Sequence, residues 1–487
     1  MYLYAKGIKP NRRSCMRTVS KTVIGVDFGT QSARAVLVNA ENGEIIYSCR
    51  KQYPYNSTPV PAIDCAENLP CATDYEMTLY ELLRNVIPEE YRKTVAGICI
   101  DATSLTMVLL AEDGRALSEL DGWSEAAHAR VKLWKYHRAQ EKADEALNLA
   151  SNLQEPFLGR TGGSISCEWM LPKLLEVRDE APEIYSKIDL AMDLCEFLTF
   201  RLTGQLVRSI GSLSYKCLWA EDLSFPERTF LNGLRAGFYE EYCHFLRGDV
   251  RKPGECAGML RSELTKRWGL PEQIPVATGM LDGHTSLATM GAFKPGDAAL
   301  IVGTSNVCTV QDRKLQELKD VCGVAQDGMV TGSCGIDTGQ SSTGNMLGWF
   351  VEHMAGWQIH REAEERKISP HQVLAERIQK PWENKVIAVD WWSGSRNAPC
   401  DLTLRGSMSG LEMDTKTEDI YLALLQAIAC GTGTILESLS GQGVEIRRVL
   451  ATGGITEKNP LLMQEYANLL RRDVLVAKTA EGPALGA

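Results

Sequence analysis

The sequence predicts an α/β protein of at least two domains, with two halves built on one repeated strand–turn–strand plan. Three observations carry this expectation. The chain has 487 residues, well beyond the roughly 100–200 residues that one core usually serves. Residues 23–38 and 298–310 share a plan of apolar strand, tight Gly-Thr turn and apolar strand, with polar side chains at the turn. The apolar share of 44% and charged share of 23% are those of a globular chain, which excludes wholesale disorder and collagen-like sequence.

Residues 1–22 have basic character and no apolar centre, so they read as a flexible lead-in rather than a targeting peptide. The first strand, 23–28, delivers Asp27 and breaks at Gly29-Thr30-Gln31. Strands follow over 33–38 and 45–48, joined by an Asn42-Gly43 turn. A further strand over 95–100 delivers Asp101, with Thr103 and Ser104 close behind. Residues 123–150 lack Pro and Gly and are rich in Ala, Lys, Glu and Leu, which predicts a mainly helical stretch. On that reading Trp134, Lys135, His137 and Arg138 sit on a half-buried amphipathic helix over 131–140. Helices and loops then alternate to Trp268, and the run 274–280 leads into Asp282 where helix-forming residues begin. The turn at Lys294-Pro295-Gly296-Asp297 opens the second hairpin, whose own turn is Gly303-Thr304-Ser305. Ile420, Leu424, Ile428 and Ile435 recur at helical spacing within 418–439. A short strand over 449–451 opens into Thr452-Gly453-Gly454, and Asn459-Pro460 then gives an N-cap with proline at the first helical position.

Several classes fall away. With 62 acidic against 52 basic residues, a net charge of -10 and a pI near 5.4, the chain is not built to neutralise nucleic-acid phosphates. No apolar run approaches the roughly 18 residues of a spanning helix, so no membrane partner is expected. The 15 cysteines include no CxxC pair, which argues against zinc ribbons and redox motifs, and most should be buried small apolar side chains. Their odd count, the chain length and the absence of a secretory signal together favour a reducing cytoplasm.

The turn at Asp27-Phe28-Gly29-Thr30-Gln31-Ser32 has the parts of a phosphate loop. Glycine lets backbone approach an anion, hydroxyls donate, and a carboxylate can hold magnesium through water. Alone it is equally an ordinary tight turn, but the second turn at Gly303-Thr304 favours nucleotide phosphates held by two such loops. Asp282, at a strand-to-helix junction, is placed to act as a general base on a hydroxyl, and it could also be a plain helix N-cap. His284 carries little weight as a base. Lys216 follows a small polar loop, and its character is open between a solvated and a functional lysine.

The order of these segments resembles the FGGY family of carbohydrate kinases. The residues carrying the resemblance are VIGVDFGTQSARAVLV from Val23, VKLWKYHRAQ at 131–140, GGSISCEWMLPK at 162–173, YKCLW at 215–219, LDGH at 281–284, VGTSNVC at 302–308, AVDWWSGSR at 388–396 and ATGGITEKNPLLMQ at 451–464. In detail they look like the branch that phosphorylates L-ribulose. The resemblance implies two actin-like, hexokinase-like domains of ribonuclease-H-like fold with a cleft between them. A sugar-binding domain would cover 23–292 and an ATP-binding domain 293–487.

The resemblance also implies roles. Asp282 matches the catalytic base, taken to have a near-ordinary pKa, and Asp27 the magnesium-side carboxylate. Gly29, Thr30 and Gln31 match the first phosphate loop, Gly303 and Thr304 the second, and Gly453, Gly454 and Asn459 the part that receives adenosine. Sugar contacts fall to Ser104, Trp134, Lys216, Asp282 and Asp337. ATP and Mg2+ are the implied cofactors, a small sugar the partner, and a homodimer is compatible with the family. Three departures stand out. Asp337-Thr338-Gly339-Gln340 replaces the family's Glu-Ala-Gly-Gln, Leu281-Asp282-Gly283-His284 replaces Val-Asp-Ala-His, and Ser395-Arg396-Asn397 replaces Asn-Arg-Ser. The chain stops at 483–487, a stretch that opens a helix in relatives whose chains continue, so the second domain is expected to lack its end. A kinase for D-ribulose, xylulose or another sugar or polyol, and a non-catalytic sugar sensor, stay open as alternatives.

Overall fold

The computed structural model describes residues 19–53, 69–379, 381–396, 400–401, 403–477 and 481–487. The lead-in up to residue 18 and Asn397 lie outside them. The described residues form two units, one of 19–288 with Ala325–Cys334 and Pro483–Ala487, the other of Thr289–Val324 with Gly335–Gly482.

The first unit is built on a seven-stranded sheet. Thr22–Phe28 pairs antiparallel with Ser32–Asn39, which pairs antiparallel with Ile45–Gln52. On its other side Thr22–Phe28 pairs parallel with Val95–Ala102, which carries Pro275–Ala277 and Met280–Leu281 as further parallel neighbours. Strands buried on both faces need near-continuous apolar runs, and Ile24, Val26, Phe28, Ile98 and Ile100 form the core between the sheet and the helices Ala72–Val86 and Leu194–Thr203. A second core, around Trp169, Leu174, Phe230, Phe238 and Tyr242, holds the helical part. Gly25 lets the helix Gly482–Gly486 lie against the first strand, because a Cβ there would land on the carbonyl oxygen of Ala484.

The second unit repeats the pairing pattern. Asp297–Val302 is antiparallel to Asn306–Asp312 and parallel to Arg448–Thr452, which is in turn parallel to Val474–Val476. The duplication read from the two Gly-Thr turns therefore extends to a hairpin whose first strand has a parallel neighbour on its open side. One helix, Thr417–Gly441, is long and apolar enough by length and composition to cross a membrane, which corrects the expectation that no such run exists. It is largely buried, and it packs on the helix Pro460–Leu470.

The predicted helix over 123–150 is confined to Gln140–Leu153. Residues 131–139 form turns and a bridge instead, with Lys132 exchanging backbone hydrogen bonds with Met107. Tertiary bonds override propensity here. The Lys132 ammonium is fully buried, 3.1 Å from Glu176 and donating to the Tyr136 hydroxyl at 3.0 Å, so this segment is pinned inward rather than wound on a surface.

Candidate active site

In the first unit, adjacent parallel strands deliver carboxylates to one edge of the sheet. Asp27 stands in register with Asp101, and Asp101 with Met280, so that Asp282 follows immediately at the start of the helix Asp282–Met290. The carboxyl ends of parallel strands are where open α/β sheets bind ligands. The Asp282 side chain accepts from the Gly283 amide at 2.7 Å, while its carbonyl takes the hydroxyls of Thr285 and Ser286. Burial, and then the negative charge of Asp27, push the Asp282 carboxyl up to about 7, with Lys216 opposing them. The near-ordinary pKa expected for this group is thereby corrected. Its neighbours are carboxylates in a dry strand edge, and like charges there disfavour ionisation.

Asp101 was legible as a strand end, but it received no role from the sequence. It is fully buried, and its carboxyl is raised well above the usual range by burial, by Asp27 and by Asp282. Asp27 is buried too, with Arg34 Nε 3.1 Å from its carboxylate. The sign of the stability effect follows. An unfolded aspartate titrates near about 3.9, so the stability that protonated Asp101 contributes is complete below that pH and is lost progressively as pH rises towards its folded value. Asp101→Asn is therefore expected to gain stability over wild type from mildly acidic to mildly alkaline buffer, by at most roughly 1.4 kcal/mol per pH unit, read as a melting-temperature difference that grows with pH. A difference that does not grow with pH in paired thermal melts would count against a raised Asp101.

Other predicted residues gather nearby. Trp134 Nε1 donates to Thr30 Oγ1 at 3.1 Å, tying a sugar-contact candidate to the first turn. Tyr53 donates to the Gly29 carbonyl at 2.8 Å, which fixes the same turn from below. Gln31 is exposed. Lys216 closes the short helix Ile210–Lys216 rather than following a loop. His284 is buried with its ring 4.9 Å from that of Tyr215. Ser104 Oγ is buried and has no hydrogen-bond partner among the described residues, so it has bonding capacity to offer a ligand.

In the second unit the glycine turns converge. Thr343 Oγ1 donates to the carbonyls of Gly303 and Thr304 at 2.9 and 3.2 Å, and the Gly344 amide donates to Gly303 at 3.1 Å. A Cβ on Gly344 would lie 2.6 Å from both the Gly303 oxygen and Ile455 Cδ1, so its absence lets three segments meet. The stretch Ser341-Ser342-Thr343-Gly344 was missed as part of this site. Its signal was a run of hydroxyls and glycine after an apolar strand, the same signal read at Gly303. Asn306 anchors the turn from inside, donating to Gln340 Oε1 at 2.8 Å, while Gln340 donates to Asp390 at 2.6 Å. Asn459 Oδ1 accepts from the Leu462 amide at 3.1 Å and Nδ2 donates to the Tyr421 hydroxyl at 3.0 Å, so its amide is used as a cap. Asp337 is buried on the strand Cys334–Gln340 and belongs to the second unit, whereas Ser104, Trp134, Lys216 and Asp282 belong to the first.

For a divalent metal, the first unit's carboxylates are the oxygen donors that a hard cation takes. Among the described residues no group of three or more His, Cys, Asp or Glu side chains could hold a metal.

The model described as the N-terminal domain of the FGGY family of carbohydrate kinases matches residues 22–289, and that of the C-terminal domain matches 298–487. The chain belongs to the FGGY family of carbohydrate kinases. It is 34% identical over 478 residues to a ribulokinase of Halalkalibacterium halodurans, covering 96% of this chain and 85% of that protein. A ribulokinase of Mycolicibacterium smegmatis is 36% identical over 483 residues, covering 96% and 84%. Among solved structures the chain resembles a xylulose kinase from Rhodospirillum rubrum, with a TM-score of 0.75 at 21% identity, covering 96% of this chain and 88% of that one. It also resembles a gluconate kinase from Lactobacillus acidophilus, with a TM-score of 0.76 at 19% identity and the same coverage. These two likenesses bear on the fold. The kinase thus has the two-domain architecture of its family, and ATP is the phosphoryl donor that membership implies.

Proposed function

We propose that this kinase transfers the terminal phosphoryl group of ATP to the 5-hydroxyl of L-ribulose, forming L-ribulose 5-phosphate in arabinose catabolism. The observation that carries the reading is Asp282, a carboxylate held at a strand end, its pKa pushed up to about 7 by burial and by Asp27 against the opposing charge of Lys216. It belongs to a chain 34% identical to a ribulokinase over nearly its whole length. Phosphoryl transfer asks little covalent help of the protein, so positioning and charge dominate. The attacking hydroxyl gives its proton to the Asp282 carboxylate while the new oxygen–phosphorus bond forms and the bond from the γ-phosphorus to ADP breaks. A base whose pKa lies near the working pH combines availability with proton affinity.

Ser104 Oγ, buried without a partner, suits a sugar hydroxyl. Trp134, its indole N–H given to Thr30, offers its ring to the sugar's C–H face. Asp337 is proposed as a further sugar contact, one methylene shorter than the family's glutamate. Gly29, Thr30, Gln31, Gly303, Thr304, Gly453 and Gly454 form the proposed phosphate and nucleotide turns, with Asn459 fixing the helix behind them. Magnesium, when bound with ATP, supplies charge neutralisation on the phosphates, and Asp27 is the residue that would hold it through water. Six of the thirteen described cysteines are buried, fewer than the majority expected. The odd total of 15 cysteines supports a cytoplasmic setting.

The base must be ionised to act, so kcat/KM should rise with pH through about 7 and level off above it. An ADP-release assay with L-ribulose across that range tests this, run beside D-ribulose, xylulose and polyols. A profile already flat below about pH 6 would remove Asp282 as a base of raised pKa. Fastest turnover on another acceptor would replace L-ribulose.

A further inference from the structure

The motif at 162–173 ends in Lys173, to which the reaction gives no task. This lysine, on the helix Met170–Glu180, is fully buried. Its ammonium donates to three backbone carbonyls, Leu133 at 2.9 Å, Leu105 at 3.0 Å and Lys132 at 3.4 Å, which uses all three of its donors. Two of these carbonyls sit next to proposed acceptor contacts, Leu105 after Ser104 and Leu133 before Trp134.

Leu105 has a φ of +42°, a left-handed conformation that leucine adopts only when its surroundings impose it. The surroundings are specific. The Asp193 carboxylate accepts the amides of Leu105 and Thr106, both at 3.1 Å, and is itself held by the Leu194 amide at 2.8 Å and the Ser212 hydroxyl at 2.6 Å. Leu105 is thus gripped at its N–H by Asp193 and at its C=O by Lys173. Burial presses the Lys173 amine down to about 7 and the Asp193 carboxyl up to about 6, so both groups are costly choices for a core that Met or Leu could fill.

We propose that Lys173 and Asp193 are positioning residues that fix the Ser104–Leu105 turn and the Trp134 segment in one arrangement, and so set the kinase's affinity for its acceptor sugar without touching it. The inference rests on Ser104 and Trp134 being acceptor contacts.

The test compares wild type with Lys173→Met, which keeps the volume and removes the donors, and with Asp193→Asn. Acceptor KM, ATP KM and kcat are measured with whichever sugar the wild type turns over fastest, so that an error over L-ribulose appears in the wild type and leaves the clamp testable. Acceptor KM should rise about tenfold or more while ATP KM stays within about twofold. A merely structural role would reduce the folded fraction and hence kcat, leaving both KM values in place. Should the two variants fail to fold, Ser212→Ala removes one support of Asp193 and should raise acceptor KM alone, by about threefold. An acceptor KM unchanged in any folded member of the set, or a parallel rise in ATP KM, would overturn the proposal.

Discussion

Replacing Asp282 by Asn is expected to lower kcat by roughly 10²–10⁴-fold while acceptor affinity stays within about threefold. Asparagine keeps the shape and the oxygen that accepts the Gly283 amide, so the start of the helix Asp282–Met290 is preserved. What it loses is the ability to take a proton. The variant should also be at least as stable as wild type. The wild-type carboxyl is raised by burial and by Asp27, so the stability it contributes when protonated is lost as pH rises through about 7, and the neutral amide does not suffer this loss. A fall in kcat with an unchanged or higher melting temperature therefore separates lost chemistry from lost fold. ADP release, sugar titration by intrinsic fluorescence and a thermal melt on the same preparation give all three quantities. Turnover surviving at about a tenth or more of wild type would mean that another group accepts the proton.

The features legible in the sequence are those whose physics is local. A strand ending in Asp and then Gly-Thr announces itself in a few residues, and both hairpins stand where they were read. Asn459-Pro460 is likewise a local rule, and Asn459 caps its helix through the Leu462 amide. Residues 131–139 escaped because composition reports propensity alone, whereas the segment's course is decided by a buried ammonium at Lys132, held by Tyr136 within the segment and by Glu176, 40 residues beyond Tyr136 in sequence. Asp101 was visible as a strand end. Its character comes from standing in register with Asp27, and register between distant strands is a tertiary fact. The 341–344 run was hidden for a related reason, since Gly344 matters only because two other segments approach it.

The glycines of the second unit allow a sharper separation of fold from ligand than any charged residue. Gly453 has φ +114° and ψ 163°, a region essentially closed to other residues, and a Cβ there would land on the Val302 carbonyl. Gly453→Ala should therefore destabilise the kinase by about 3 kcal/mol or more through strain and displaced backbone, whatever ligand is present. Gly454 and Gly303 differ. Neither has a positive φ, a Cβ on Gly454 would meet nothing within 4 Å, and one on Gly303 would meet only the Ser305 oxygen at 3.7 Å. The fold does not require glycine at either place, and alanine should be neutral or stabilising by about 0.4–1 kcal/mol through the unfolded chain. If nucleotide lies against these turns, the added methyl groups collide with ATP alone. Gly303→Ala and Gly454→Ala should then raise ATP KM about tenfold or more with melting temperatures preserved, the reverse of the pattern at Gly453. ATP KM unchanged in both variants would show that the phosphates and adenosine lie elsewhere, and that these glycines are a feature of the turns and not of what they hold.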